Sequence, residues 1–123
     1  MRLKSHKELI VFKNAIKLAI RIHELSKSLP AEEKYSLTDQ IRRSSRSVAA
    51  NIAEAFRKRR YPKSFVSKLS DGEGEAAETQ VWLYFTEALG YLDSSDTEEL
   101  DAQYEHLLAQ LVTMIQSPEK WSI

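Results

Sequence analysis

The sequence contains no cysteine among its 123 residues, so disulfides, thiolate metal ligands and a cysteine nucleophile are excluded. Glycine and proline are scarce, with three residues of each, which disfavours a structure rich in turns. Apolar residues recur at intervals of three and four along the chain, and no alternating strand pattern competes with them. Together these features predict an all-α fold.

The length and composition set the scale of the structure. A chain of 123 residues that is 42% hydrophobic can bury one core and is too short for two ordinary domains. A single domain over residues 1–123 is expected. The apolar N-terminal stretch is interrupted by Lys13, Lys17 and Arg21 before any run reaches the length of a signal peptide or membrane span. The default expectation is therefore a cytoplasmic protein without membrane contact.

A net charge of zero conceals a strong asymmetry along the chain. Residues 1–68 carry 17 Lys/Arg and 6 Asp/Glu, a net charge of +11, whereas residues 69–123 carry 1 and 12, a net charge of −11. Between residues 69 and 118 there is no lysine or arginine. A division of this kind concerns surfaces and partners rather than the fold.

Hydrophobic periodicity and helix-breaking residues predict four helices, at about residues 7–29, 37–60, 62–92 and 97–116. Pro30 marks a stop, Ser36 is the expected N-cap of the second helix, and Pro62 suits the first turn of the third. On the first helix, the predicted apolar face consists of Phe12, Ala15, Ile16, Ala19, Ile22 and Leu29. Long helices with short connections predict an antiparallel, up-down-up-down four-helix bundle.

Local signals refine two of these helices. Ser95 and Glu98 have the spacing of a capping box at the start of the fourth helix. Gly72 and Gly74 fall inside the third helix, where each costs about 1 kcal/mol relative to alanine. Either the helix breaks there, or another backbone approaches closely.

The second helix carries cations at both ends and small residues between them. At about 100° per residue, four arginines share one sector of this helix: Arg42, Arg46, Arg57 and Arg60. Arg42, Arg43 and Arg46 have a structural explanation. In an antiparallel pair they would lie level with Glu75 and Glu78 of the third helix and be neutralised.

A second cluster of cations is harder to explain structurally. It comprises Arg57, Lys58, Arg59, Arg60 and Lys63, hereafter the basic corner. Asp71 is the one acidic residue expected nearby, and a helix C-terminus favours one or two cations rather than five. We therefore interpret the basic corner, with Arg42 and Arg46, as a nucleic-acid-binding surface. No base-reading motif is present, so binding should tolerate sequence changes and depend steeply on salt.

The end of the third helix is apolar on two sides. Leu83, Tyr84 and Tyr91 project to one side, and a second set projects to the other: Trp82, Phe85, Leu89 and Leu92. Because a bundle helix needs only one apolar stripe, the second set predicts an interface for self-association. A wide intramolecular core is the alternative.

No pattern typical of an active site is present, so neither enzymatic activity nor a cofactor is expected. His6, His23 and His106 occur singly, without a second ligand at helical spacing, which argues against a metal site. There is no G-x-S-x-G motif and no Glu-x-x-His pair. Asn51 and Glu54 are interpreted as a buried polar pair that specifies helix register, and Glu78 as a further structural polar residue.

The stretch QIRRSSRSVAANIAEAFRKR, residues 40–59, resembles the four-helix-bundle proteins named after intervening sequences in 23S ribosomal RNA genes. The resemblance continues through GEAAETQVWL (74–83) and LGYL (89–92) and covers nearly the whole chain. The matching positions are Gln40, Arg42, Arg43, Ala50, Asn51, Ile52, Ala53, Glu54, Gly74, Glu78 and Leu83. Ala55 replaces a usual glycine and Glu75 a common serine, which suggests an altered contact between the second and third helices.

The resemblance implies a cyclic homo-oligomer, typically a pentamer, of four-helix bundles without known enzymatic activity. It also implies kinship with accessory proteins of diversity-generating retroelements, similar bundles that are thought to bind nucleic acid and a reverse transcriptase.

Two functional hypotheses follow. The first is a non-enzymatic oligomer that binds RNA or DNA, or serves as a ribonucleoprotein accessory, through its basic corners. The second is a protein-binding or structural scaffold in which the basic and acidic halves meet across a head-to-tail interface.

Overall fold

The computed structural model describes residues 3–121, and over that range it consists of four helices joined by short turns. The helices are α1 (Ile10–Ser26), α2 (Leu37–Arg57), α3 (Pro62–Ala88) and α4 (Ser94–Gln116). Single 3-10 turns lie at His6–Glu8, Ala31–Glu33 and Pro118–Lys120. No strand occurs in the described range, so the predicted all-α fold with four helices is confirmed.

Helix α1 is shorter than predicted at both ends. Near its C-terminus, the hydroxyl of Ser26 donates to the carbonyl of His23 and that of Ser28 donates to the carbonyl of Leu25, each at 2.8 Å. The backbone after Ser26 makes i→i+3 bonds instead, as from the N–H of Leu29 to the carbonyl of Ser26 at 3.1 Å. Proline disfavours the α conformation at the residue before it, so the helix ends ahead of Pro30. At the N-terminus, the backbone is extended at Leu9, which separates α1 from the preceding 3-10 turn.

The buried face of α1 is rotated from the predicted one. Its buried apolar residues are Val11, Ala15, Leu18, Ala19 and Ile22. Ile16 is 36% exposed and Ile20 is 59% exposed, whereas Phe12 and Leu29 are half-buried. Two isoleucines one helical turn apart therefore form an apolar strip on the surface of α1.

Helix α2 begins as predicted after Ser36, but the capping chemistry differs. The Ser36 hydroxyl donates to the carboxylate of Glu33 at 2.6 Å instead of accepting from the helix. The same carboxylate accepts from the backbone N–H of Leu37 at 3.4 Å and from the hydroxyl of Tyr91 at 3.0 Å. Hydrogen bonds from Ser36 and then Tyr91 lower the pKa of Glu33. An acidic side chain thus takes the place of the predicted serine acceptor at this positive helix end.

The boundary between α3 and α4 also departs from prediction. Helix α3 ends at Ala88 because Gly90 adopts a φ of 75°, which allows the N–H of Tyr91 to reach the carbonyl of Thr86 at 2.9 Å. The predicted capping box of Ser95 and Glu98 is wrong. Asp93 occupies the N-cap position and Ser95 already lies within α4.

Helix α3 is continuous through both internal glycines. A Cβ on Gly72 would lie 3.7 Å from the Cβ of Asn51 and 3.9 Å from the carbonyl oxygen of Val48. These are ordinary van der Waals distances, so Gly72 packs against α2 but the predicted close approach, which would require a glycine, is not found there. A Cβ on Gly74 would meet nothing within 4 Å among residues 3–121, so packing against them does not explain that glycine.

The helices enclose one hydrophobic core. Helix α2 packs against α1 and α3, whereas α4 packs against α3 and more loosely against α1. Side-chain hydrogen bonds between consecutive helices connect the C-terminal part of one helix to the N-terminal part of the next. Ser26 of α1 bonds to Arg42 of α2, and Glu87 of α3 bonds to Thr97 of α4. The largest fully buried side chains are Tyr104, Phe56, Phe65, Ile22, Ile41, Ile52, Leu69, Leu83, Leu100, Leu107, Leu111 and Val48.

Candidate nucleic-acid interface

The basic corner is positioned by the tight turn between α2 and α3. Helix α2 ends at Arg57, and the N–H of Lys58 bonds to the carbonyl of Ala55 at 2.9 Å. The N–H of Tyr61 bonds to the carbonyl of Lys58 at 2.9 Å, after which α3 starts at Pro62. The turn therefore concentrates five cations within seven residues at one end of the bundle.

Arg59 is oriented differently from the rest of the basic corner. Its guanidinium carbon lies 3.6 Å from the ring centroid of Phe56, and its Nε donates to the carbonyl of Phe56 at 3.0 Å. Burial, assisted by the charge of Arg57, lowers the pKa of Arg59. Arg59 thus caps the C-terminus of α2 and packs on the core, as expected for one or two of the five cations.

The other four cations of the basic corner are exposed: Arg57, Lys58, Arg60 and Lys63. Over residues 3–121, no carboxylate forms an ion pair with any of them. Asp71 is the predicted nearby partner, but its Oδ2 lies 3.9 Å from Lys68 Nζ instead. The same Nζ forms an ion pair with Glu54 Oε2 at 2.7 Å. The hydrogen bond from Lys68 lowers the pKa of Glu54. Glu54 thus forms its ion pair with Lys68, and Lys58 of the basic corner acts on it only through its charge.

The three N-terminal arginines of α2 have different partners. Arg43 is neutralised as predicted, with ion pairs to Glu75 at 3.0 Å and to Glu78 at 2.6 Å. The prediction is wrong for Arg42 and Arg46, which turn towards α1. Arg42 Nε donates to the Ser26 hydroxyl at 2.7 Å, and Arg46 lies 3.2 Å from His23 Nδ1. Neither arginine forms an ion pair with a carboxylate within residues 3–121.

Arg43 and its carboxylates link α2 to α3. Burial is the largest single influence on Glu78 and opposes its ionisation. The hydrogen bonds from Arg43 and the neighbouring groups outweigh this effect and hold the pKa of Glu78 below its usual range. The hydrogen bond to Glu75, followed by that to Glu78, raises the pKa of Arg43. Glu75 thus adds a second carboxylate to this contact.

We expect Arg43→Met to lower the free energy of unfolding by about 1 kcal/mol at pH 7, because two half-buried carboxylates lose their shared cation. Glu78 has a lowered pKa in the folded state, so its contribution is complete above its unfolded pKa, about 4.3, and disappears as the pH falls through the folded value. Urea unfolding at pH 7 and at about pH 3 tests this. The difference in the free energy of unfolding between Arg43→Met and the wild type should be smaller at about pH 3 than at pH 7.

Lys27→Met serves as the control for that comparison, because it removes an exposed ion pair with Glu24 at the C-terminal end of α1. It should change stability little at either pH. Equal stability of Arg43→Met and wild type at pH 7 would contradict a stabilising role for the Arg43 cluster.

The predicted self-association residues separate into two pairs. Phe85 is 46% exposed and Leu89 is 52% exposed, and with Val81, 48% exposed, they form the outer α3 face. Trp82 is half-buried against the core and donates its Nε1–H to Glu78 at 3.3 Å; Leu92 is also half-buried. The interface itself remains a prediction, and its exposed part is the outer α3 face.

The interpretation of Asn51 and Glu54 as a buried pair is wrong. Asn51 is half-buried and donates to the carbonyl of Ser47 in its own helix at 2.9 Å. Glu54 is exposed and binds Lys68 of α3. The two residues therefore make separate contacts, Asn51 within α2 and Glu54 with α3.

The histidines and Tyr104 have separate surroundings in the described part of the chain. Within residues 3–121, no group of three His, Asp or Glu side chains could hold a metal ion. His6 packs edge-on against Phe12 at 5.0 Å, and His23 is half-buried against Arg46. Burial raises the pKa of Tyr104, so its hydroxyl stays protonated in the core. No helix of this part of the chain has the length and apolar character needed to cross a membrane.

Tyr35 is a candidate residue that the sequence patterns did not single out. It lies in the turn between α1 and α2, is 85% exposed, and has Lys34 Nζ 5.3 Å from its ring centroid. The available signal was an aromatic residue beside a lysine, outside every apolar stripe. Only the folded arrangement places it beside Arg42 and Arg46.

These observations define an all-α four-helix bundle with an uncompensated basic end. The chain belongs to the 23S rRNA-intervening sequence protein family, whose model matches residues 7–113. It is similar to a protein of unknown function from the S23 ribosomal protein family of Bacteroides thetaiotaomicron, solved at 1.70 Å resolution. The two share 30% sequence identity with a TM-score of 0.78, over 86% of this chain and 98% of that chain. No curated protein matches the sequence.

Proposed function

We propose that this protein is a non-enzymatic, cytoplasmic oligomer that binds structured RNA or other nucleic acid, or acts as a ribonucleoprotein accessory, through its basic corner. The observation that carries the proposal is the set of exposed cations there that form no ion pair within residues 3–121. Arg57, Lys58, Arg60 and Lys63 are exposed without a carboxylate partner among residues 3–121, whereas Arg21, Arg43 and Lys68 are paired. Exposed cations without internal partners suit the phosphates of a nucleic acid.

The proposed assembly is an antiparallel up-down-up-down bundle that forms a cyclic homo-oligomer, typically a pentamer. Helices α1 and α3 lie at opposite corners of the bundle, each packed mainly against α2 and α4. Each carries an exposed apolar surface: the Ile16–Ile20 strip on α1 and the outer α3 face. Two different surfaces on two non-adjacent helices suit the head-to-tail contacts from which rings are built.

Gly74 supports the same assembly. It lies seven residues before Val81, on the same side of α3, and an added Cβ would meet nothing within 4 Å. A glycine there costs about 1 kcal/mol relative to alanine without a packing reason inside the chain. Close approach by a neighbouring copy would account for it.

A ring would repeat the basic corner once per subunit. Weak contacts between each corner and phosphate would then combine through multivalency, because one RNA molecule can engage several corners together. Binding should be insensitive to base sequence and should weaken steeply as salt increases.

Titration of the wild-type protein with a labelled structured RNA and with duplex DNA, starting at about 50 mM salt, tests the proposal. We expect binding that weakens steeply with added salt, by a logarithmic slope of about 0.9 per phosphate contact. The absence of binding to both ligands at low salt would contradict the proposed function. Light scattering on the same samples would establish whether the binding species is a ring.

The alternative function is a protein-binding or structural scaffold. It is favoured by the charge division, because a basic α1–α2 side could meet an acidic α3–α4 side of the next subunit. A protein partner, such as the reverse transcriptase implied by the family resemblance, could use the same cations. In this function the cations of the basic corner would contact a neighbouring subunit or that protein partner, and the protein would not bind RNA.

A further inference from the structure

A second basic surface lies at the other end of α2 and is separate from the basic corner. It is an open groove of about 640 Å³ between the α1–α2 turn and the first turns of α2. Lys34, Tyr35, Arg42 and Arg46 line it, and Asp39 is the single carboxylate in its lining. Arg43 also lines the groove, but its charge is taken by Glu75 and Glu78. The groove therefore has an excess of positive charge: three cations without a carboxylate partner among residues 3–121, Lys34, Arg42 and Arg46, face the single carboxylate of Asp39.

The two arginines of the groove are held in place without being neutralised. The Ser26 hydroxyl that receives Arg42 Nε is itself 4% exposed and donates to the carbonyl of His23 at 2.8 Å. Arg46 is fixed by His23 Nδ1. Anchoring through Nε leaves both terminal nitrogens of Arg42 available, in the fork geometry that suits a phosphate. Arg42 and Arg46 are one helical turn apart, about 6 Å along the axis.

Tyr35 adds a feature that phosphate binding alone does not require. Its ring is 85% exposed, and the nearby Lys34 ammonium neutralises no carboxylate in the described part of the chain. An exposed aromatic ring beside cations is the combination with which proteins bind single-stranded nucleic acid, since bases stack on the ring while phosphates contact the cations. In a duplex the bases are already stacked and cannot reach such a ring.

We propose that this groove binds an unpaired nucleotide of RNA, with its base stacked on Tyr35 and its phosphates at Lys34, Arg42 and Arg46. The inference rests on the proposed nucleic-acid function and names the ligand class more narrowly. The basic corner holds RNA by charge alone, whereas the groove selects for single-stranded segments.

The test compares Tyr35→Ala with Tyr35→Phe by fluorescence anisotropy, using a labelled oligouridylate of about 10 nucleotides and a blunt RNA duplex of the same length. At about 50 mM salt, Tyr35→Ala should raise the Kd for the single strand about tenfold and leave the duplex Kd unchanged. Tyr35→Phe keeps the ring and should bind as the wild type does. Tyr84→Ala removes a tyrosine of α3 that is 71% exposed and should change neither constant.

The outcomes separate this inference from the proposed function. If the wild type binds neither RNA, both are wrong. If it binds both but Tyr35→Ala weakens them equally or not at all, the stacking site is wrong and the basic corner stands. If Tyr35→Ala changes the oligomeric state, Tyr35 belongs to a protein contact and the inference is overturned.

Discussion

The double variant Arg57→Glu/Arg60→Glu is expected to lose about 100-fold or more in affinity for structured RNA at about 50 mM salt. Each reversal removes a phosphate contact worth about tenfold at this salt concentration and adds repulsion. Both side chains are exposed and have no internal carboxylate partner among the described residues, so no stabilising ion pair is broken. The logarithmic salt slope should fall by about two.

A charge-matched control is available in α1. Lys13→Glu/Lys17→Glu changes the net charge by the same amount at exposed α1 positions that form no ion pair within residues 3–121. If the loss of affinity reflected net charge alone, the two double variants would behave alike. We expect the control to retain most of the wild-type affinity and nearly all of the salt slope, because its lysines make no contact with the bound RNA.

The same variant distinguishes the two proposed functions. If the basic corner binds RNA, the variant should keep the mass of the wild-type oligomer in light scattering while losing RNA. If the corner instead meets the acidic half of a neighbouring subunit, charge reversal should break the assembly. An intact oligomer with unchanged RNA affinity would contradict both functions of the corner.

The sequence was sufficient for the helices but not for their ends. The spacing of Ile41, Val48 and Ile52 requires one buried face, and the structure buries all three. The ends depend on local bonds that composition does not reveal. Gly90 terminates α3 through a positive φ, and Glu33 supplies the acceptor expected from Ser36.

The charged residues of the candidate site were harder to predict than the helices. Arg42, Arg43 and Arg46 look alike in the sequence, yet only Arg43 reaches the carboxylates of α3. Which helix each arginine contacts depends on the rotation of α2 about its axis. Arg43 faces α3, while Arg42 and Arg46 face α1. Rotation of a helix about its axis is set by packing against both neighbours, which sequence periodicity fixes only approximately.

The second large effect is expected at the outer α3 face. Phe85→Glu/Leu89→Glu should convert the wild-type oligomer into a monomer with a mass near 14.1 kDa in light scattering. Burying such side chains contributes about 1.5–3 kcal/mol each, and a glutamate placed in the same contact would be left without a partner. In a ring every subunit interface carries the change, so assembly should fail throughout. Val112→Glu, at an exposed valine of α4, should leave the mass unchanged.

Mixing experiments test whether the outer α3 face meets the Ile16–Ile20 strip of the next subunit. Ile20→Glu alone should also give a monomer, because it places a charge in the Ile16–Ile20 strip that the outer α3 face of the next subunit would contact. Mixed with Phe85→Glu/Leu89→Glu, it should give a dimer, since each protein keeps one intact surface and the pair forms a single sound interface. If two outer α3 faces pair with each other instead, Ile20→Glu will retain the wild-type mass. A wild-type protein that is already monomeric would refute the proposed ring and leave the exposed Phe85 and Leu89 as a surface for another protein.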